Sequence, residues 1–150
     1  MLTQIQPNHW SCLATAFAIV LDVPVQEVFD FCAHDGSEKL FPERPDPHSR
    51  RSFHIQEMVD FCYLHQRAVI AVEAAPVSSN HFGDVHEHGA DPTRLRRYLT
   101  TSEGVLIGEV NGKAHAVVWD GESLLDPNGT TYPLADFNIR AFFAIKSISK

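Results

Sequence analysis

Three cysteines stand in the chain, Cys12, Cys32 and Cys62, and only Cys12 sits where a helix is about to begin. It follows Ser11, a residue suited to helix capping. It precedes Leu13, Ala14, Ala16, Phe17, Ile19, Val20 and Leu21, which are apolar nearly all the way round. A thiol in the first turn of a helix meets partial positive charge and free amide donors, and both favour the thiolate. That makes Cys12 the strongest nucleophile this sequence can build. Taken alone it also reads as a small buried apolar residue, the commoner fate of a cysteine.

A base and its orienting group lie near the other end of the chain. Asp120-Gly121 separates the β-prone runs Ala114 to Trp119 and Glu122 to Leu125, which predicts a hairpin with a two-residue turn. In that register Trp119 faces Glu122, Val117 faces Leu124 and His115 faces Asp126. Directly opposed, hydrogen-bonded residues lie about 5.5 Å apart at Cα. His115 and Asp126 therefore share one sheet face, as a carboxylate must to fix an imidazole tautomer. Asp126-Pro127-Asn128-Gly129 is equally a turn sequence, so Asp126 has a second reading as a turn former. Gln6, six residues before Cys12, carries an amide that can donate to an oxyanion beside the helix-start amides, or that simply stays solvated; Gln4 is the second choice for that role.

These residues need elements to hold them. A helix from Ser11 to about Leu21 lacks a polar face and belongs inside the domain. Pro24 starts a second helix through Gln26 and Phe31, which breaks near Asp35-Gly36. Leu40 to Arg51, with three prolines and several charges, reads as a surface loop. Helical spacing of Ile55, Met58, Val59 and Cys62 predicts a third helix over His54 to His65. Ala68 to Val72 reads as a strand and the polar stretch Ser78 to Asp91 as a mobile loop. Pro92 opens a fourth helix over Thr93 to Leu99. Strands then follow at Val105 to Val110, Ala114 to Trp119, Glu122 to Leu125 and Ala141 to Ser147. Helices first and strands later define an α+β arrangement, with an antiparallel sheet packed on helices.

With 150 residues there is room for one domain, taken as residues 1–150. Acidic residues outnumber basic ones by 19 to 12, a net charge of −7 that disfavours nucleic acid as a partner. No apolar run reaches the length of a membrane span, and Met1 to Pro7 lacks the pattern of a secretory signal. The odd, dispersed cysteines argue against a disulfide framework and fit a reducing cytoplasm. His81, His86 and His88, with Asp84 and Glu87 nearby, offer metal-ligating side chains. They lack a zinc-motif spacing, so neither metal nor cofactor is expected. Arg94, Arg96 and Arg97, like Arg50 and Arg51, read as solvated charges or ion-pair partners.

The sequence resembles papain-like cysteine peptidases, and most of all the compact bacterial branch that includes the bacteriocin-leader-processing domains of export transporters. The likeness rests on Gln6, on Ser11-Cys12 followed by Leu13-Ala14-Thr15-Ala16, on His115-Ala116-Val117-Val118, and on Asp126-Pro127. The order Gln, Cys, His, Asp and the interval from Gln6 to Cys12 also match, so the likeness spans nearly the whole chain. It departs where those domains have Asp-Cys-Gly and this chain has Ser11-Cys12-Leu13. Papain carries a tryptophan just after its cysteine, whereas Trp10 here precedes Cys12. The resemblance implies a papain-like fold, with Cys12 as nucleophile, His115 as general base, Asp126 as orienter and Gln6 in the oxyanion hole. Asn128 is the fallback orienter.

A thiol-dependent acyl hydrolase acting on a peptide or protein substrate is the leading expectation, as a peptidase or isopeptidase. An acyltransferase uses the same machinery. With no pro-segment before Gln6, a classical secreted zymogen is not expected. The alternative is a non-catalytic module or inhibitor that binds a protein partner on the same scaffold. The loops Leu40 to Arg51 and Ser78 to Asp91 are long for such a domain and are the expected specificity elements.

Overall fold

A computed structural model describes residues 1–46, 48–73, 77–81, 84–88, 92–110 and 113–148. Helix α1 (Cys12–Leu21) closes its first turn through the Thr15 amide on the Ser11 carbonyl oxygen. The expected Ser11 side-chain cap is absent. The hydroxyl donates instead to the Asn8 carbonyl oxygen at 3.1 Å, tying the entering chain to the helix start. Asp22, at φ 62°, ends the helix in the left-handed conformation. Every residue from Ala14 to Ile19 is buried, as a helix without a polar face requires.

Helix α2 (Val25–Cys32) follows Pro24, and α3 (Ile55–Leu64) begins at a capping box. In that box the His54 imidazole accepts from the Gln56 amide, and Glu57 accepts from the His54 amide. Among the described residues the strands are β1 (Arg67–Glu73), β2 (Val77–His81), β3 (Asp84–His88), β4 (Gly104–Val110), β5 (Lys113–Trp119), β6 (Leu124–Leu125), β7 (Thr131–Tyr132) and β8 (Asn138–Ser147). Helix α4 (Pro92–Thr101) precedes β4.

Six strands form an antiparallel sheet in the order β1-β8-β4-β5-β6-β7. The architecture is thus mixed α+β, as the element order predicts. Two features depart from a simple helical half on a sheet half. Strand β1, from the first half of the chain, joins the sheet edge by pairing with β8. Helix α4 covers the face opposite to α1–α3.

The strands divide their side chains between two cores. Val105, Ala116, Val118 and Ile145 pack with α1, α2 and α3. Leu106, Val117, Trp119, Phe142 and Ala144 pack on the other face with Leu99 of α4, and the Trp119 indole donates to the Leu99 carbonyl oxygen at 2.9 Å. With both faces covered, the central strands read as continuous apolar runs rather than strict alternations.

Residues 78–81 and 84–88, expected as loop, lie in the two-stranded hairpin β2–β3, which begins at Val77. Their polar composition hid the signal, because such a stretch has no apolar alternation to read. Residues 82, 83 and 89–91 of that stretch lie outside the described residues.

Candidate active site

Cys12 is the first residue of α1 and is half-buried, and α1 packs against β5, the strand that carries His115. Together they line a cavity of about 220 Å³. Its walls are His9, Trp10, Leu13, Ser52 and Phe53 on one side and Ile107, Ala114 and Ala116 on the other. Fold packing thus brings a helix start and a strand start, about a hundred residues apart in the chain, to one point.

The hairpin that presents Asp126 differs from the expected one. Val118 pairs with Leu125 and Trp119 with Leu124, so the connection is the four-residue loop 120–123 rather than a two-residue turn. Asp120 causes the change. Its Oδ1 accepts from the amides of Glu122 and Ser123, both at 2.8 Å, which holds an Asx-type loop. The expected strand at Glu122 shrinks accordingly to Leu124–Leu125. The register moves by two residues, so each side chain keeps its face. Asp126 thereby falls diagonal to His115 rather than opposite it, a separation side chains can span.

His115 Nε2 lies 2.9 Å from both carboxylate oxygens of Asp126. The carboxylate is 6% exposed and also accepts from the Asn128 amide at 2.9 Å and the Tyr132 hydroxyl at 2.8 Å. The hydrogen bond to Asp126 is the main reason the His115 pKa rises from 6.5 to about 9. Cys12 adds to the rise and burial opposes it. Burial alone would push the Asp126 carboxyl up, but the hydrogen bonds from His115, Asn128 and Tyr132 outweigh it and hold the group below its usual value. Since Nε2 is committed to Asp126, the nitrogen left to meet Cys12 is Nδ1.

Gln6 is stapled beside this pair, its amide donating to the Pro127 carbonyl oxygen at 2.7 Å. Its side-chain Nε2 donates to the Asn8 carbonyl oxygen at 3.0 Å, while Oε1 is buried with no hydrogen-bond partner among the described residues. Gln6 is thus next to the site, but it does not line the cavity. Gln4 is committed elsewhere. Its Nε2 donates to the Val23 carbonyl oxygen and its Oε1 accepts from the Val25 amide, both at 2.8 Å, at the start of α2. Asn128, the fallback orienter, turns its side-chain oxygen to Thr130, which leaves Asp126 as the group on the imidazole.

The side chains of His81, Asp84, His86, Glu87 and His88 lie outside the described residues. Among the described residues a different cluster, Cys32, His34 and Glu57, brings three metal-type donor atoms within 4.8 Å of one another. Its hydrogen bonds oppose metal binding. His34 Nδ1 accepts from the Gly36 amide at 3.0 Å, so the ring proton sits on Nε2 and goes to Glu57 at 2.8 Å. A cation on Nε2 would move that proton to Nδ1 and set two donors face to face. Burial first, then Glu57, pushes the Cys32 thiol up to about 12, and burial does the same to Cys62.

Arg50 lies 4.6 Å over the Trp10 ring and pairs with Asp46, so the Leu40 to Arg51 segment is tied to a wall of the cavity. Arg51 pairs with Glu38 at 3.0 Å. Arg94, Arg96 and Arg97 are exposed on α4. No helix among the described residues is by itself long and apolar enough to cross a membrane. Family models, curated proteins and solved structures give no match to this chain.

The sequence singles out Cys12, His115 and Asp126, which the structure brings together, but not the neighbours His9, Trp10, Phe53 and Tyr132. The cavity walls come from segments with no motif of their own. Tyr132 had one readable signal, its place six residues after Asp126 beyond a turn, where a returning strand brings it back.

Proposed function

We propose that the chain is a thiol-dependent acyl hydrolase of papain-like type, acting as a cysteine peptidase or isopeptidase. One observation carries this reading: Cys12 and His115 share a cavity while a buried carboxylate holds the far nitrogen of the imidazole. The proton of Cys12 Sγ passes first to His115 Nδ1, which holds it up to about pH 9, and the sulfur then attacks a substrate carbonyl carbon. The oxyanion forms at the free amides of the first turn of α1. His115 then returns the proton to the departing amine, leaving a thioester. Water, deprotonated by His115, cleaves the thioester and restores the thiol. An amine in place of water gives acyl transfer by the same steps.

Limited iodoacetamide treatment followed by intact-mass spectrometry tests the reading. A single fast adduct is expected near pH 6, absent in Cys12→Ala and slowed at least ~10-fold in His115→Ala. Cys32 and Cys62, with thiols near 12, should label slowly. A second reading, a binding module for a protein partner on the same scaffold, draws support from Gln6, whose amide is turned to Asn8 rather than to the cavity. Equal and slow labelling of all three thiols would favour it.

A further inference from the structure

Asp126 is anchored from outside its own turn. His115 Nε2 touches both carboxylate oxygens, and the Asn128 amide donates to Oδ1. Asn128 belongs to the same turn as Asp126 and moves with it. The Tyr132 hydroxyl, which donates to Oδ2 at 2.8 Å, belongs to β7. There Tyr132 pairs with the buried Leu124, and its ring stacks on the buried Phe137 with centroids 6.5 Å apart. The hydroxyl therefore ties the carboxylate to the second core, independently of the turn that carries it. Burial and the facing carboxylate both push the Tyr132 pKa up, so the phenol stays a donor at any working pH.

We propose that Tyr132 is a positioning residue of this site: its hydroxyl fixes the Asp126 carboxylate in the orientation that both oxygens need to meet His115 Nε2. The proposal rests on the reading of Cys12, His115 and Asp126 as catalytic machinery, and it extends that machinery to a fourth side chain. A hydrogen bond to a carboxylate does two things. It fixes orientation, which strengthens the hold on the imidazole. It also draws charge off the oxygens, which weakens that hold. The two effects move the His115 pKa in opposite directions when the hydroxyl is removed, so the sign decides between them.

The experiment is an NMR titration of His115 in the full chain, wild type against Tyr132→Phe, with the iodoacetamide rate of Cys12 measured on the same samples. If Tyr132 positions Asp126, the His115 pKa falls toward its ordinary value, with the imidazole at least ~3-fold less basic, and Cys12 labelling slows by a similar factor or more. An unchanged or raised His115 pKa overturns the proposal whatever the stability of the variant, because losing a bond that fixes the carboxylate must lower that pKa, whereas loosened packing relieves burial and raises it. Should Tyr132→Phe fail to fold, the wild type carries the test. A Tyr132 hydroxyl proton slow to exchange supports the bond to Asp126, and one averaged with water overturns it. Cys12 labelling no faster than Cys32 and Cys62 in the wild type would overturn the hydrolase reading instead, while the titration still judges Tyr132.

Discussion

His115 holds its proton to about pH 9 because a buried carboxylate receives it, and Cys12 reinforces the effect. Removing that carboxylate leaves the hydrogen bond to Cys12, which still raises the value, opposed by burial, which favours the neutral ring. Asp126→Ala is therefore expected to bring the His115 pKa down from about 9 toward 6.5 by NMR titration. It should slow Cys12 alkylation and any substrate turnover by ~100-fold, the scale of a general base that loses its orientation. At this scale the sequence singled out Cys12, His115 and Asp126, by type and spacing, as the candidates for chemistry. It did not show those that only touch them. His9, Trp10 and Phe53 became visible when the chain folded back on itself. Ser11, read as a cap, serves as a tie to Asn8 because the chain enters α1 along that side.

The element that matters most is the β5–β6 hairpin with the β4 strand beside it. The expected two-residue turn was wrong and the predicted meeting of His115 and Asp126 was right, because a shift of two residues preserves the facing of every side chain. Local side-chain hydrogen bonding by Asp120 overrode the dipeptide preference. On β5's other side, Gly108 pairs with His115 where the β4–β8 register is broken by a bulge. A Cβ at Gly108 would overlap the Asn138 carbonyl oxygen and the Phe137 ring. Gly108→Ala should thus cost ~1–3 kcal/mol, read as a lower urea midpoint, with a slower Cys12 because β5 shifts.

Across the whole molecule, the His115–Asp126 pair ties stability to pH. His115 has a folded pKa of about 9 against an ordinary 6.5, so its contribution is complete below pH 6.5 and is lost as pH rises through 9. Asp126 is held below its ordinary 3.8, so its contribution is present above that pH and lost as pH falls further. The two describe one interaction, fully present between about pH 4 and 6.5. Urea unfolding of the wild type against His115→Ala should show a pH-dependent difference on the order of 2 kcal/mol that disappears between pH 6.5 and 10. A difference independent of pH would mean that the ring acts through packing. Both covered faces of the sheet place this pair in a rigid frame, with Val117 in one core and its neighbours Ala116 and Val118 in the other.

The sequence by itself determined helices α1–α4, most of the sheet strands and the α+β order, because apolar periodicity and prolines act over a few residues. It also set Cys12 at a helix start, and His115 and Asp126 on one sheet face, because both follow from local geometry. Tertiary structure decided what no local rule carries: β1 at the sheet edge against β8, α4 on the far face, and the polar ribbon β2–β3. It also decided the commitment of Gln4 to α2 and the anchoring of Asp126 by Tyr132. Each depends on which surfaces meet when apolar faces are buried together, and long-range burial leaves no signature in the spacing of neighbouring residues.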